Sequence, residues 1–169
     1  MWNNTDLPLA YLITFRCYGS WLHGDERGSV DRFHNQYKTP FMAPNERWRK
    51  HNARALKGEP VKLSQAQRES VEAAIRETCS LRSCLIRAIN VRTNHVHVVV
   101  SIGITPPERA LNAFKANAMR QLRQDHRWQK QHSPWADKGS KRYLWNGRSI
   151  ERAIDYVMNG QGDELPQLD

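Results

Sequence analysis

From Leu9 to Ser20 apolar and polar side chains alternate: Tyr11, Ile13, Phe15 and Cys17 share one parity, Leu12, Thr14, Arg16 and Tyr18 the other. A period of two marks a strand, ended here by Gly19. The period changes after Ser64, which with Gln67 forms a capping box and opens a helix to about Leu81, with Val71, Ala74, Ile75 and Thr78 as its inward stripe. Alternation returns in Cys84–Arg92 and His95–Ser101, two strands joined as a hairpin through Thr93-Asn94. Thr105-Pro-Pro-Glu108 predicts a threonine-capped second helix to about Gln124. A loop with Pro134 and Gly139 leads to a short strand, Arg142–Trp145. Ser149 is read as the cap of a final helix over 149–162, broken by Gly160 and Gly162.

The order β, α, β, β, α, β, α predicts an α+β fold: a ferredoxin-like antiparallel sheet with helices packed on it. Residues 20–60 read as a long inserted loop punctuated by glycines and prolines, with a short basic helix over Asn45–Leu56. At 169 residues, without repeats, a single domain spanning 1–169 is expected. No apolar run is long enough to span a membrane, and the N-terminus lacks the features of a secretory signal. Cys17, Cys79 and Cys84 lack metal-type spacing and read as reduced residues of a cytoplasmic protein.

Charge narrows the class of partner. Twenty-six Lys and Arg against 17 Asp and Glu give +9, which suits a polyanion, nucleic acid before membrane. From Arg109 to Arg148 ten cations face only Asp125 and Asp137, with Phe114, Trp128, Trp135, Tyr143 and Trp145 among them. Cations that neutralise phosphate, interleaved with rings that stack on unpaired bases, suit single-stranded nucleic acid.

The stretch TNHVHVVVS carries the candidate chemistry. His95 and His97 share a face of their strand, roughly 6.5–7 Å apart along it, while Val96, Val98 and Val100 take the other. Two imidazoles on a rigid strand suit one divalent ion, with a third ligand supplied from elsewhere. A histidine-triad hydrolase needs a histidine at the next alternate position, which is Val99; the paired His-x-Ser/Thr motifs of two-histidine phosphoesterases are absent.

In the last helix Ile150, Ala153, Ile154 and Val157 form the core stripe. Tyr156 lies about 120° from its centre, on the face of Arg152 and Asn159. A tyrosine presented off the core, beside a cation, is a candidate nucleophile: its oxygen can attack a phosphodiester when a metal stabilises the charge, leaving a phosphotyrosine.

On NHVHVVV, AIDYVMNGQG and RYLWNGRSIERAIDYV the chain resembles the HUH superfamily (His, hydrophobic, His), specifically the single-tyrosine transposases of single-stranded DNA and the REP-associated tyrosine transposases. Thr14–Val30 resembles the opening strand and loop of one branch. The resemblance implies that His95 and His97 hold Mg or Mn and that Tyr156 cleaves and rejoins single-stranded, hairpin-forming DNA through a 5′-phosphotyrosine and a free 3′-OH. It also implies a homodimer, in which the tyrosine helix serves its own histidines or the partner's, and a nucleoid-associated location, with no small-molecule substrate. A non-catalytic, domesticated DNA-binding protein on the same fold is the alternative.

The family's third ligand is a Gln or Asn four residues after the tyrosine, where this chain has Gly160. Asn159 shares the tyrosine's face; Gln161 does so only if the helix loosens at Gly160, and is preferred because the GQG segment gives that freedom. Lys115 falls within the Leu111, Ala118, Leu122 stripe, as a snorkelling core-edge lysine or a cation aimed at phosphate. Arg16, Arg120, Arg123, Arg142 and Arg152 are further candidates for DNA contact.

Overall fold

The computed structural model describes residues 6–20, 46–47, 50 and 58–161. The expected inserted loop and the helix Asn45–Leu56 lie almost wholly outside these residues, as do Gly162 and most of Thr14–Val30; Glu46, Arg47 and Lys50 are helical. Four strands, β1 (Ala10–Arg16), β2 (Leu85–Val91), β3 (His95–Ser101) and β4 (Ser140–Leu144), alternate with α1 (Gln65–Leu81), α2 (Pro107–Gln124) and α3 (Gly147–Asn159). The sheet order is β2-β3-β1-β4 and every neighbouring pair is antiparallel. The β1-α1-β2 connection therefore crosses over β3, the split arrangement of a ferredoxin-like α+β fold.

Strand alternation divides the apolar residues between two layers. Tyr11, Ile13, Phe15, Val96, Val98 and Val100 join Val71, Ile75, Leu111, Phe114 and Leu122 beneath α1 and α2. Ala10, Leu12, Ala88 and Val99 meet Ile150, Ala153 and Val157 of α3 on the opposite face. Full burial of a side chain such as Val157 stabilises the docked helix by roughly 1.5–3 kcal/mol.

A bulge keeps this second layer apolar. Ile86 pairs with Val100 but Ala88, not Arg87, pairs with Val99. Without the extra residue Arg87 would sit opposite Val99 beneath α3. Displaced, its Nε donates to Ser101 Oγ at 3.3 Å at the surface. A glycine permits the other edge strand. A Cβ at Gly139 would lie 2.6 Å from Thr14 O and 3.0 Å from both Leu111 methyls, so only glycine lets the chain pass this close to β1.

Helix α1 begins at the expected capping box, Gln67 N donating to Ser64 Oγ at 3.2 Å and Ser64 N to Gln67 Oε1 at 2.9 Å. The other two starts differ from expectation. Thr105 does not cap α2: Pro106 takes the cap position, without a side-chain bond, because a residue preceding proline is held extended and the helix begins only at Pro107. Ser149 does not cap α3 but completes the box of Asn146, whose Oδ1 accepts from Ser149 N at 2.9 Å. The helix thus starts a turn earlier. Strand β4 is Ser140–Leu144 rather than Arg142–Trp145, since pairing with β1 ends at Leu144 opposite Ala10. Cys17 and Cys79 are buried and all three cysteines are free; burial pushes the Cys17 and Cys79 thiols up to about 12.

Candidate active site

The histidines occupy the sheet face that carries α3. His97 pairs with Thr14 of β1 and Asn90 of β2, and His95 with Arg16. Paired residues of antiparallel strands share a face, so Thr14, Arg16 and Asn90 surround the two imidazoles. The ring centroids lie 4.7 Å apart.

Each ring is oriented through Nδ1. His95 Nδ1 lies 2.7 Å from Asn94 Oδ1, a carbonyl oxygen that only accepts, so the proton sits on Nδ1 and Nε2 carries a lone pair. His97 Nδ1 lies 2.7 Å from Thr14 Oγ1. With Nδ1 donating there, its Nε2 also presents a lone pair, the tautomer a metal ligand requires. His97 is 3 % exposed, and its Nε2 has no hydrogen-bond partner among the described residues. Burial, with a further contribution from His95, pushes its imidazole from 6.5 down to about 3, and the nearby Gln161 amide offsets part of that. The ring is therefore neutral at ordinary pH.

Helix α3 brings in the tyrosine. Its apolar stripe seats on Leu12, Ala88 and Val99, and Asn90 Nδ2 donates to Val157 O at 2.9 Å, holding a carbonyl that the helix end leaves unpaired. The Tyr156 ring then packs edge-on to His97, centroids 5.4 Å apart, with the side chain still 42 % exposed. Gln161 Oε1 stands 3.2 Å from His95 Nε2, and Gln161 Nε2 donates to Tyr156 O at 2.9 Å. That donation fixes the amide's orientation, so its oxygen faces a lone pair of His95. With His95 neutral and its proton on Nδ1, Nε2 and the amide oxygen would be two acceptors face to face, an arrangement that suits a cation. Among the described residues no cluster of three His, Cys, Asp or Glu side chains forms; two imidazoles and an amide oxygen are the set that fits a divalent ion.

The tyrosine helix thus brings Tyr156 and Gln161 to the histidines of its own chain. Asn159 is elsewhere, its Nδ2 donating to Asp155 Oδ1 at 2.9 Å on the outer surface. Arg16 lies beside His95 by strand register, and Arg152 is one turn before Tyr156 on α3. Arg142 pairs with Leu12 on the α3 side of edge strand β4. Arg120, Arg123 and Lys115 belong to α2, across the sheet from the histidines. Arg123 Nη2 donates to Gln131 O at 2.9 Å. Lys115 Nζ donates to Ala136 O at 2.8 Å and Lys138 O at 3.0 Å, tying down the loop before β4.

Thr14, Asn90, Arg92 and Asn94 were not singled out in the sequence. Parity was the available signal for Asn90 and Arg92, since the polar residues of even number at the end of the expected strand Cys84–Arg92 face the same way as the histidines once the hairpin pairs. Asn94 is the residue before His95 in the turn.

Comparison with known proteins places the fold and the family. The fold is that of a transposase: the solved structure of a REP-associated tyrosine transposase bound to a REP hairpin matches with a TM-score of 0.54 at 12 % identity, over 93 % of this chain and 69 % of that one. A Deinococcus radiodurans protein designated a transposase gives 0.49 at 10 % identity, over 95 % and 97 % of the two chains. The model of the IS200-like transposase family matches residues 55–157, well over half of the chain, and the chain belongs to that family. A comparison with curated proteins finds no match. No helix among the described residues is long and apolar enough to cross a membrane.

Proposed function

We propose that this chain is a divalent-metal-dependent endonuclease and strand transferase acting on single-stranded, hairpin-forming DNA, with Tyr156 as nucleophile. The observation that carries the reading is the meeting of Tyr156, Gln161 Oε1 and two imidazole nitrogens, one of them buried without a partner among the described residues. His95, His97 and Gln161 would hold Mg or Mn. When bound, the ion would neutralise charge developing on the phosphoryl group.

The protein's own groups do the rest. Asn94 and Thr14 orient the two imidazoles through Nδ1, and α3 seats the phenol ring against His97. The phenolic oxygen forms a bond to phosphorus as the bond to the 3′ oxygen breaks. The phenol loses its proton, the 3′ oxygen gains one, and a 5′-phosphotyrosine and a free 3′-OH remain. Attack by that or another 3′-OH on the phosphotyrosine reverses the step and rejoins DNA. Arg16, beside His95 by register, and Arg152, one turn before Tyr156, would meet the strand's phosphates.

Family membership, the net charge of +9 and the REP hairpin bound by a structural relative support DNA as the substrate. In a homodimer each chain would carry its own site, since the tyrosine helix reaches the histidines of the same chain.

The test is incubation with Mn and an end-labelled single-stranded hairpin, followed by denaturing electrophoresis. A covalent protein–DNA adduct is expected, lost in Tyr156→Phe and on chelation. Cleavage that persists in Tyr156→Phe would sink the tyrosine mechanism, and binding without any adduct would favour a non-catalytic DNA-binding role.

A further inference from the structure

Gln161 reaches the histidines from a position that helical geometry does not favour. On a continuing helix the fourth residue after Tyr156 lies about 40° round from it and the fifth about 140°. The fourth is Gly160, with no side chain to offer, and the fifth would face away. Yet Gln161 Oε1 is 3.2 Å from His95 Nε2, so something turns the chain back.

Three contacts shape the end of the helix. Helix α3 ends at Gly160, whose N–H closes on Tyr156 O at 2.9 Å. A Cβ there would meet Tyr156 O at 2.7 Å and the ring's Cδ2 at 3.0 Å, so glycine lets the turn close beneath the tyrosine. The Gln161 amide donates to the same carbonyl at 2.9 Å. The third contact comes from outside the helix: Arg92 Nη2 donates to Gln161 O at 2.9 Å, across 69 residues of sequence.

The place of Arg92 explains its reach. It closes the β2–β3 hairpin, its N–H donating to His95 O at 2.8 Å, so one residue grips the backbone of His95 and, through its guanidinium, that of Gln161. Its parity matches Asn90, which grips Val157 O one turn earlier. A guanidinium near a helix C-terminus also meets the negative end of the helix dipole, and its fixed fork holds direction better than an ammonium.

We propose that Arg92 is the positioning residue that makes Gln161 a member of the site, fixing its backbone at the break after α3 so that the amide oxygen stays against His95. The proposal rests on the reading of Gln161 as a cation ligand, but its first test needs no metal. Histidine side-chain NMR spectra are recorded in chelator for the wild type, Arg92→Met, Gln161→Ala and the double variant; methionine keeps the apolar stem and removes the donors. Arg92→Met should move the His95 resonances in the direction that Gln161→Ala moves them, and the double variant should coincide with Gln161→Ala. Arg92→Lys, which keeps a cationic donor, should restore the spectrum in part. Additive shifts, or an unchanged His95 in Arg92→Met, overturn the proposal.

The second arm is Mn binding followed by electron paramagnetic resonance. Arg92→Met should weaken it by about 10–100-fold, with no further loss in the Gln161→Ala background. Equal Mn affinity in Arg92→Met and wild type overturns the proposal. A wild type that fails to bind Mn removes the metal reading instead, and the NMR comparison still decides the role of Arg92.

Discussion

Replacing Thr14 by valine isolates the support of the histidine pair. The two side chains have the same shape, and valine suits a strand at least as well, so what is lost is one hydroxyl, 2.7 Å from His97 Nδ1. His97 is 3 % exposed, so water does not replace that partner. A change of tautomer offers no escape, because Nε2 has no hydrogen-bond partner among the described residues. The proton merely moves from one orphaned nitrogen to the other. Leaving a buried polar group unpaired costs about 1–3 kcal/mol, and about 2–4 °C of midpoint accompanies each kcal/mol in a chain of this size. Calorimetry in chelator should show the fall in Thr14→Val and little of it in Thr14→Ser, which keeps the oxygen. Since an orienting partner outside the ligand set is worth about 10–100-fold in metal affinity, Mn binding should weaken by that factor in the valine variant alone. An unchanged midpoint together with unchanged Mn affinity would refute the assignment of Thr14 as the group that orients His97.

Three further outcomes follow from the geometry. In chelator, His97 stays neutral in the native state down to about 3 while the unfolded chain protonates it below about 6.5. Its contribution is whole above 6.5 and is lost as pH falls toward 3, by up to about 1.4 kcal/mol per pH unit; His97→Leu should therefore show a shallower loss of stability on acidification, and an equal slope would contradict the burial argument. Lys115→Met should lower stability by about 1–2 kcal/mol, since charged hydrogen bonds are worth about 1.5–3 and this lysine is only partly buried. The salt dependence of DNA binding should stay as in wild type, whereas a shallower slope would show that Lys115 meets phosphate instead. Gly139→Ala should cost about 1–3 kcal/mol through overpacking against Thr14 O and Leu111, read as a lowered denaturation midpoint and faster amide exchange in β4.

Much of the site was legible locally. The alternation of TNHVHVVVS sends both imidazoles one way and the valines the other, because a strand's side chains alternate by stereochemistry. The period of α3 sets Tyr156 off its own stripe for the same kind of reason. The order of elements also pointed to the sheet, since a split β-α-β with a hairpin leaves few other ways to cover its faces. The helix starts were less legible: Pro107 overruled Thr105 as a cap, and Asn146 took Ser149 as its partner.

What only the tertiary structure decided lies between segments far apart in sequence. Thr14 meets His97 across 83 residues, Arg92 meets Gln161 across 69, and His95 meets Gln161 across 66. No local period encodes these distances. They follow from the strand order β2-β3-β1-β4 and from the bulge at Arg87, which keeps an apolar seat for α3. The sequence by itself determined the directions in which His95, His97 and Tyr156 point, because direction is a property of the local backbone. Packing decided that these directions converge, and that Gln161 rather than Asn159 joins them, because a side chain past a helix end goes where its backbone is held.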